Sequence, residues 1–356
     1  MDDDVKQNLL QKSVEHLSDV SRERTLYQDD VARAQRSLES NSDLCVDTLT
    51  AHEPNCHDIV LHYSFDYAQQ IQIPHDSQQV GPLYFLSPYK VALFGIGCEP
   101  ASKMVMYVIP EVAVVDKGSN SVLSFLHHFF ATFGYGEKTV HLRADNCTGQ
   151  NKNRFMIAYL CWRVIAGFHM KITLSFLPVR HTKFYPDLGF GIFKRHLRHC
   201  SVNTMEEVAK CIADSSPLSK MLIPQLVANE KGDVFVPTYD WQTKFGAVKA
   251  VPQLKKYHHF VFEAQHAGTV KCRSALQVRT QSHLLSVIQM SCQLPCLTRF
   301  HRWDYCNSKR SICSQKSDNI VLIMPKTFSV QLQLQLQEVI ISLQQLPVQT
   351  AAVFHL

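Results

Sequence analysis

The chain has 356 residues, of which 46% are apolar and 19% charged; that is ample material for a core and excludes wholesale disorder. At about 150 residues per domain, the length suits roughly two domains. A net charge of +5 permits a phosphate-rich partner but falls short of the strongly basic balance that would by itself mark a nucleic-acid binder.

In chain order, Met1-Asp2-Asp3-Asp4 reverses the basic start of a signal peptide, and no apolar h-region follows. No stretch approaches the ~20 apolar residues of a membrane span, so an intracellular protein with no membrane partner is expected. The 12 cysteines form no tight framework and are read mostly as reduced thiols. Residues 1–40 form a helical arm: Val5, Leu9, Leu10, Val14, Leu17 and Val20 recur at helical spacing, and residues 2–40 contain neither Pro nor Gly. Such an arm packs on its own domain or self-associates, the latter giving a homo-oligomer through this helix, with a DNA-binding arm as the lesser alternative. Residues 41–57 read as a linker.

From Ile59 the pattern changes to β. Strands are expected over 59–65, 83–86 and 90–96, with an extra one over 104–109. A helix over 120–133 follows, stopped at Gly134, then a strand over 139–144. A more apolar helix over 150–166, a buried strand over 171–179 and a helix over 187–199, weakened by Gly189 and Gly191, complete the series. The fold class expected is α/β: a mixed five-stranded sheet with helices on both faces, preceded by a long N-terminal helix. RNase H-like enzymes share this element order.

The acids fall at telling places. Asp66 ends the first strand and Asp145 the fourth, so parallel neighbouring strands would bring both carboxylates to one sheet edge. Carboxylates gathered at one spot suit Mg²⁺ or Mn²⁺, hard cations that prefer oxygen ligands. Two such ions activate a water or 3′-hydroxyl and stabilise the leaving oxygen of a phosphodiester. Asp187 is the only acid between Asp145 and Glu206, which makes it the candidate third catalytic and metal-binding group. Each aspartate alone is equally a turn former or helix cap. The polar helix start formed by Asn146, Gln150, Asn151, Lys152 and Asn153 is a candidate phosphate-backbone site, or merely a capped first turn. Lys183, Lys194, Arg195 and Arg198, with His196 and His199, make the one notable basic cluster and are read, together with His181, as DNA-binding or as a solvated face.

Several strings resemble one family. They are Ser64-Phe-Asp-Tyr-Ala-Gln-Gln70 with Ile73-Pro74-His75, Gln79-Val-Gly-Pro-Leu-Tyr-Phe85, Ala144-Asp-Asn-Cys-Thr-Gly-Gln-Asn-Lys-Asn153, Trp162-Arg163, and His181-Thr-Lys-Phe-Tyr-Pro-Asp187 with Phe190-Gly191. The family is an uncharacterised domain of animal genomes thought to derive from mobile elements, covering about residues 58–265. The resemblance implies an RNase H-like fold of transposase or integrase type, with Asp66 and Asp145 in the first two acidic positions and Asp187 or His181 at the third. DNA as partner and the nucleus as compartment follow from it. Arg180 stands where relatives carry Gly before His-Thr-Lys. Phe193-Lys194 offers no acid where some related transposases place a Glu; should that position hold the third ligand, this copy is inactive.

No Walker A, dinucleotide, Gly-x-Ser-x-Gly or His-Glu-x-x-His motif occurs. Cys292, Cys296, His301, Cys306 and Cys313 fit no standard zinc spacing, so no zinc is expected. Beyond 267 the resemblance fades, and residues 267–356, with the alternating Ser329–Gln337 run, read as a poorly ordered or degenerate extension. The functional expectations are a metal-dependent DNA cleavage or strand-transfer domain, an inactive nucleic-acid-binding or interaction protein that kept the fold, or a decayed mobile-element fragment.

Overall fold

A computed structural model describes residues 3–41, 52–78, 88–113, 117–177, 184–218, 220–229, 232–273 and 283–287, with side chains from residue 5 and excluding 283–287. The expected strand over 83–86, His181 and Lys183, the cysteines from Cys292 onward and the run 329–337 lie outside the described residues.

One mixed sheet organises the rest. Strands β1 (His57–Tyr67), β3 (Tyr89–Cys98) and β4 (Lys103–Pro110) form an antiparallel meander, and β1 also pairs in parallel with β5 (Glu137–Ala144), which pairs in parallel with β6 (Lys171–Phe176). β2 (Ile71–Ile73) pairs with β3. β7 (Leu222–Leu226) extends the sheet beyond β4; β8 (His259–Glu263), β9 (Thr269–Arg273) and β10 (His283–Val287) extend it beyond β6. The sheet therefore has ten strands where five were expected. Of the additional ones, β2, β7, β9 and β10 are three to five residues long, too short to show a period in the sequence. Two expectations shift. The meander uses 103–110, taken as an extra, as its third strand, and the run 255–262, which the sequence reads as a strand, begins with a short 3₁₀ turn at Lys255 and Lys256 before β8. β9 and β10 carry the sheet past residue 265.

Both sheet faces are covered. Strand alternation sends Leu61, Tyr63 and Phe65 of β1, Val140 and Leu142 of β5, and Leu174 and Phe176 of β6 into the main core. α2 (Ser119–Thr132), α3 (Arg154–Ile165) and the one-turn α6 (Trp241–Lys244) close that core with Phe125, Phe129, Tyr159 and Trp241. The opposite face divides in two. Over β3 and β4 it is apolar, where Val91, Leu93, Met104 and Met106 meet Phe190 and Phe193 of α4 (Tyr185–Leu197) and Val208 and Ile212 of α5 (Met205–Asp214). Over β1, β5 and β8 it is polar, and it is covered by α1 (Asp3–Glu39).

The docking of α1 departs from the amphipathic expectation. Val5, Leu9, Leu10, Val14 and Leu17 are exposed, while Val20, Glu23, Asp30, Ala34 and Leu38 are buried. The fully buried Arg143 pairs with Asp30 at 2.9 Å and with Glu23 at 3.7 Å; Glu23 also meets His259 at 2.9 Å, and Asp30 meets His141 at 3.3 Å. Burial alone would raise the Asp30 carboxyl, but His141 and Arg143 hold it down to about 2. Buried charges persist only when paired in this way.

Two glycines set where α4 lies. A Cβ on Gly97 of β3 would run into the ring of the buried Tyr185, and one on Gly95 into Met104 and Phe190. The bare backbone lets the start of α4 sit directly on β3 beside the end of β1, because Gly95 pairs with Asp66 and Gly97 with Ser64. Gly191, by contrast, faces open space on the outer side of α4. Gly97→Ala should therefore cost about 1–3 kcal/mol in chemical denaturation, because a packed ring must move, while Gly191→Ala should gain up to about 1 kcal/mol from helix propensity. Equal effects of the two would contradict this packing.

Candidate active site at the sheet edge

The register between β1 and β5 ends at Ser64 opposite Arg143. Two residues further along each parallel strand come Asp66 and Asp145, on the same sheet face as Arg143 because side chains alternate. The sequence-predicted pair is thus brought to one edge. Asp187 stands at the third position of α4, across β3 from Asp66.

Electrostatics report the convergence. Burial raises the Asp66 carboxyl to about 7, with the charges of Asp145 and then Asp187 adding to the rise; only the backbone N–H of Tyr67, donating at 2.7 Å, opposes it. A carboxylate pushed this far by burial and like neighbours is a common feature of catalytic sites. Asp145 is held firmly. Its Oδ1 accepts from the Cys147 N–H at 3.1 Å and from the buried Asn151 amide at 2.5 Å. Asp187 is more exposed, and one of its oxygens accepts from the Phe184 N–H at 3.0 Å, so it also caps α4. The group is open: among the described residues, the cluster of three ligand atoms lying mutually within 4.8 Å is a different one, His196, Cys200 and Cys211.

The turn after Asp145 proves to be internal scaffolding. Asn146 donates to the Leu177 carbonyl and accepts from Lys152 Nζ at 2.9 Å; Asn153 caps α3 through the Phe155 and Met156 N–H groups, both at 3.0 Å. Gln150 contributes its carbonyl to the Asn153 amide at 3.0 Å. Lys152 is buried, with Nζ 5.1 Å from the centre of the Phe176 ring, and burial pulls it down to about 8. These residues fix Asp145 more than they face solvent. Lys194 is half-buried and donates to Gln69 at 3.4 Å, whereas Arg195 and Arg198 are exposed.

Sequence patterns alone did not single out a basic hollow beside this turn. Lys152, Arg154, Lys255 and Lys256 surround a cavity of about 420 Å³, completed by Ala250, Gln253 and Leu254. Its two pairs lie about a hundred residues apart, so no local charge run announces them. Gly95 and Gly97, spaced two apart on one strand face, were the visible sign of close helix packing.

Taken together, these features define a mixed α/β domain carrying a cluster of carboxylates at the edge of its sheet. A family model described as a domain of unknown function (DUF7869) matches residues 88–277, just over half of the chain, and the chain belongs to that family. The match leaves out β1 and Asp66, although β1 is the central partner of both β3 and β5. No curated protein and no solved structure matches the chain. No helix among the described residues is long and apolar enough to cross a membrane.

In the folded protein the Asp66 carboxyl thus lies above its ordinary value of 3.8 in an unfolded chain. The folded state therefore holds this proton more tightly, and the group's contribution to stability falls as pH rises from about 4 through about 7. In chelating buffer at pH 8, Asp66→Asn should stabilise the protein by roughly 1–3 kcal/mol, and the gain should vanish near pH 4. Thermal melts at both pH values check it; an unchanged or lower stability at pH 8 would mean the carboxylates do not crowd one another.

Proposed function

We propose that this is an RNase H-like domain of transposase or integrase ancestry, whose carboxylate edge served divalent-metal-dependent cleavage or transfer of a DNA strand. The observation that carries the reading is the parallel β1–β5 pairing, which puts Asp66 beside Asp145, with Asp187 within electrostatic reach. The meander β1-β3-β4 with parallel β5 and β6 on the other side of β1 supports the fold assignment. All-oxygen donors that repel one another fit Mg²⁺ or Mn²⁺, since a cation between them relieves the repulsion.

In this reading Asp66 and Asp145 hold the cation, and Asp187 supplies its exposed oxygen from the α4 start. Bound there, the metal supplies Lewis acidity to a phosphoryl oxygen and lowers the pKa of a water or 3′-hydroxyl. Asn151 and the Cys147 N–H keep Asp145 aimed. Asp187, Gly191, Arg195 and Arg198 recur at helical spacing along α4. A strand with its reacting phosphate at Asp187 would thus meet cations within about 12–17 Å along the same stripe. The exposed Lys255 and Lys256 offer a second contact for the phosphate backbone. The exposed seam of Val5, Leu9, Leu10, Val14 and Leu17 suits pairing with a second copy. DNA as substrate makes the nucleus the expected compartment.

A second reading, an inactive domain that retains nucleic-acid binding, is favoured by two observations: the carboxylates are spread more widely than a tight cage, and Asp187 doubles as a helix cap. One experiment separates them. Wild type, Asp145→Asn and Lys255→Ala/Lys256→Ala are assayed for binding and Mn²⁺-dependent cleavage of single- and double-stranded DNA. The enzyme reading expects cleavage abolished by Asp145→Asn with binding retained. The double variant should bind duplex more weakly, with a salt slope smaller by about 2. Binding without cleavage by both wild type and Asp145→Asn would leave the second reading standing; no binding at all would overturn both.

A further inference from the structure

Away from the acids, at the opposite end of α4, His196, Cys200 and Cys211 bring one imidazole nitrogen and two sulfurs within 4.8 Å of one another. His196 lies on the last turn of α4, Cys200 three residues beyond its end, and Cys211 on α5. The sequence spacing, His-x₃-Cys followed by ten residues and Cys, matches no common zinc motif, which is why the pattern alone gave no sign of it.

The fold places these groups by independent means. His75 hydrogen-bonds the Leu197 carbonyl through Nε2 at 3.0 Å, and its backbone exchanges bonds with Val202 at 2.8 and 2.7 Å. The chain carrying Cys200 is therefore clamped on both sides. Cys211 is fixed by α5, whose start is secured by a capping box between Thr204 and Glu207 and whose buried face includes Val208 and Ile212. The Cys200 thiol donates to the His196 carbonyl at 3.4 Å and so already points back toward that residue. None of the seven described cysteines is in a disulfide.

We propose that His196, Cys200 and Cys211 bind a zinc ion that ties the end of α4 to α5. With Zn–S bonds of about 2.3 Å, the ligand atoms of a tetrahedral site stand roughly 3.8 Å apart, so the cluster needs to close by about an ångström at most. Two thiolates and an imidazole select a borderline-soft ion over Mg²⁺ or Ca²⁺, which separates this site chemically from the carboxylate edge. Two thiolates neutralise the ion. Asp214, whose charge reaches Cys211, or a water completes the fourth position. The ion would hold α5 against the C-terminal end of the helix that carries Asp187 at its start, a cross-link across the α4–α5 turn.

The test uses the full chain, produced in zinc-supplemented medium as wild type, His196→Ala, His196→Cys and Cys211→Ser, dialysed and assayed for zinc per chain by elemental analysis. The expected result is one zinc per chain lost in His196→Ala and Cys211→Ser relative to wild type, and regained in His196→Cys. Cobalt-substituted protein should show thiolate-to-metal charge transfer that follows the same order. His196 is a half-buried helix-end position, so its two variants keep the fold and decide the matter even should Cys211→Ser fail to fold. Equal zinc content in wild type and His196→Ala would overturn the proposal. So would a Cys200–Cys211 disulfide found by mass spectrometry in zinc-loaded wild type.

Discussion

The parallel pairing of β1 with β5 is the constraint on which the site depends. β1 is antiparallel to β3 and parallel to β5, so it is the strand where the meander meets the parallel half of the sheet. Strand ends that point the same way deliver Asp66 and Asp145 to one edge, some eighty residues apart in sequence. Burial first, and then the charges of Asp145 and Asp187, raise the Asp66 carboxyl to about 7. The arrangement costs stability, and the proposed metal chemistry at the edge would account for its being built into the central strands.

The surroundings show how such a site is supported. On one side, glycines at 95 and 97 let α4 lie against bare backbone, which brings Asp187 toward the pair. On the other, Arg143, His141 and His259 draw Glu23 and Asp30 of α1 onto the sheet. The sheet face opposite the main core is therefore part oil and part ion pairs, and the aspartates sit where the two parts meet. This also accounts for α1: its first half carries an exposed apolar stripe, while its second half docks through charge.

Much of this was legible in the sequence. Long elements with clear periods, such as the helix at 119–132 and the strands at 57–67 and 137–144, fall within a few residues of their expected bounds. So does the shared edge of Asp66 and Asp145, because strand order follows from the meander-then-alternation pattern. What could not be read has physical reasons. Strands of three to five residues have no measurable period. The charged face of α1 reads as solvent-facing, because its partners Arg143, His141 and His259 lie more than a hundred residues away. α5 is not among the expected elements, although Thr204 and Glu207 carry a capping box. The Asn-rich turn after Asp145 reads equally as a surface for phosphates or as a capped first turn; Asn153 caps α3, and the Asn146 and Asn151 amides face inward, Asn151 aiming the carboxylate.

The most direct measurement is calorimetric titration of the full chain with Mn²⁺, comparing wild type with Asp66→Asn. A cation shared by carboxylates at the β1–β5 edge predicts saturable binding to wild type and at least a tenfold weaker affinity in the variant, with zinc content unchanged. Binding of equal strength by both proteins, or none by wild type, would contradict the account.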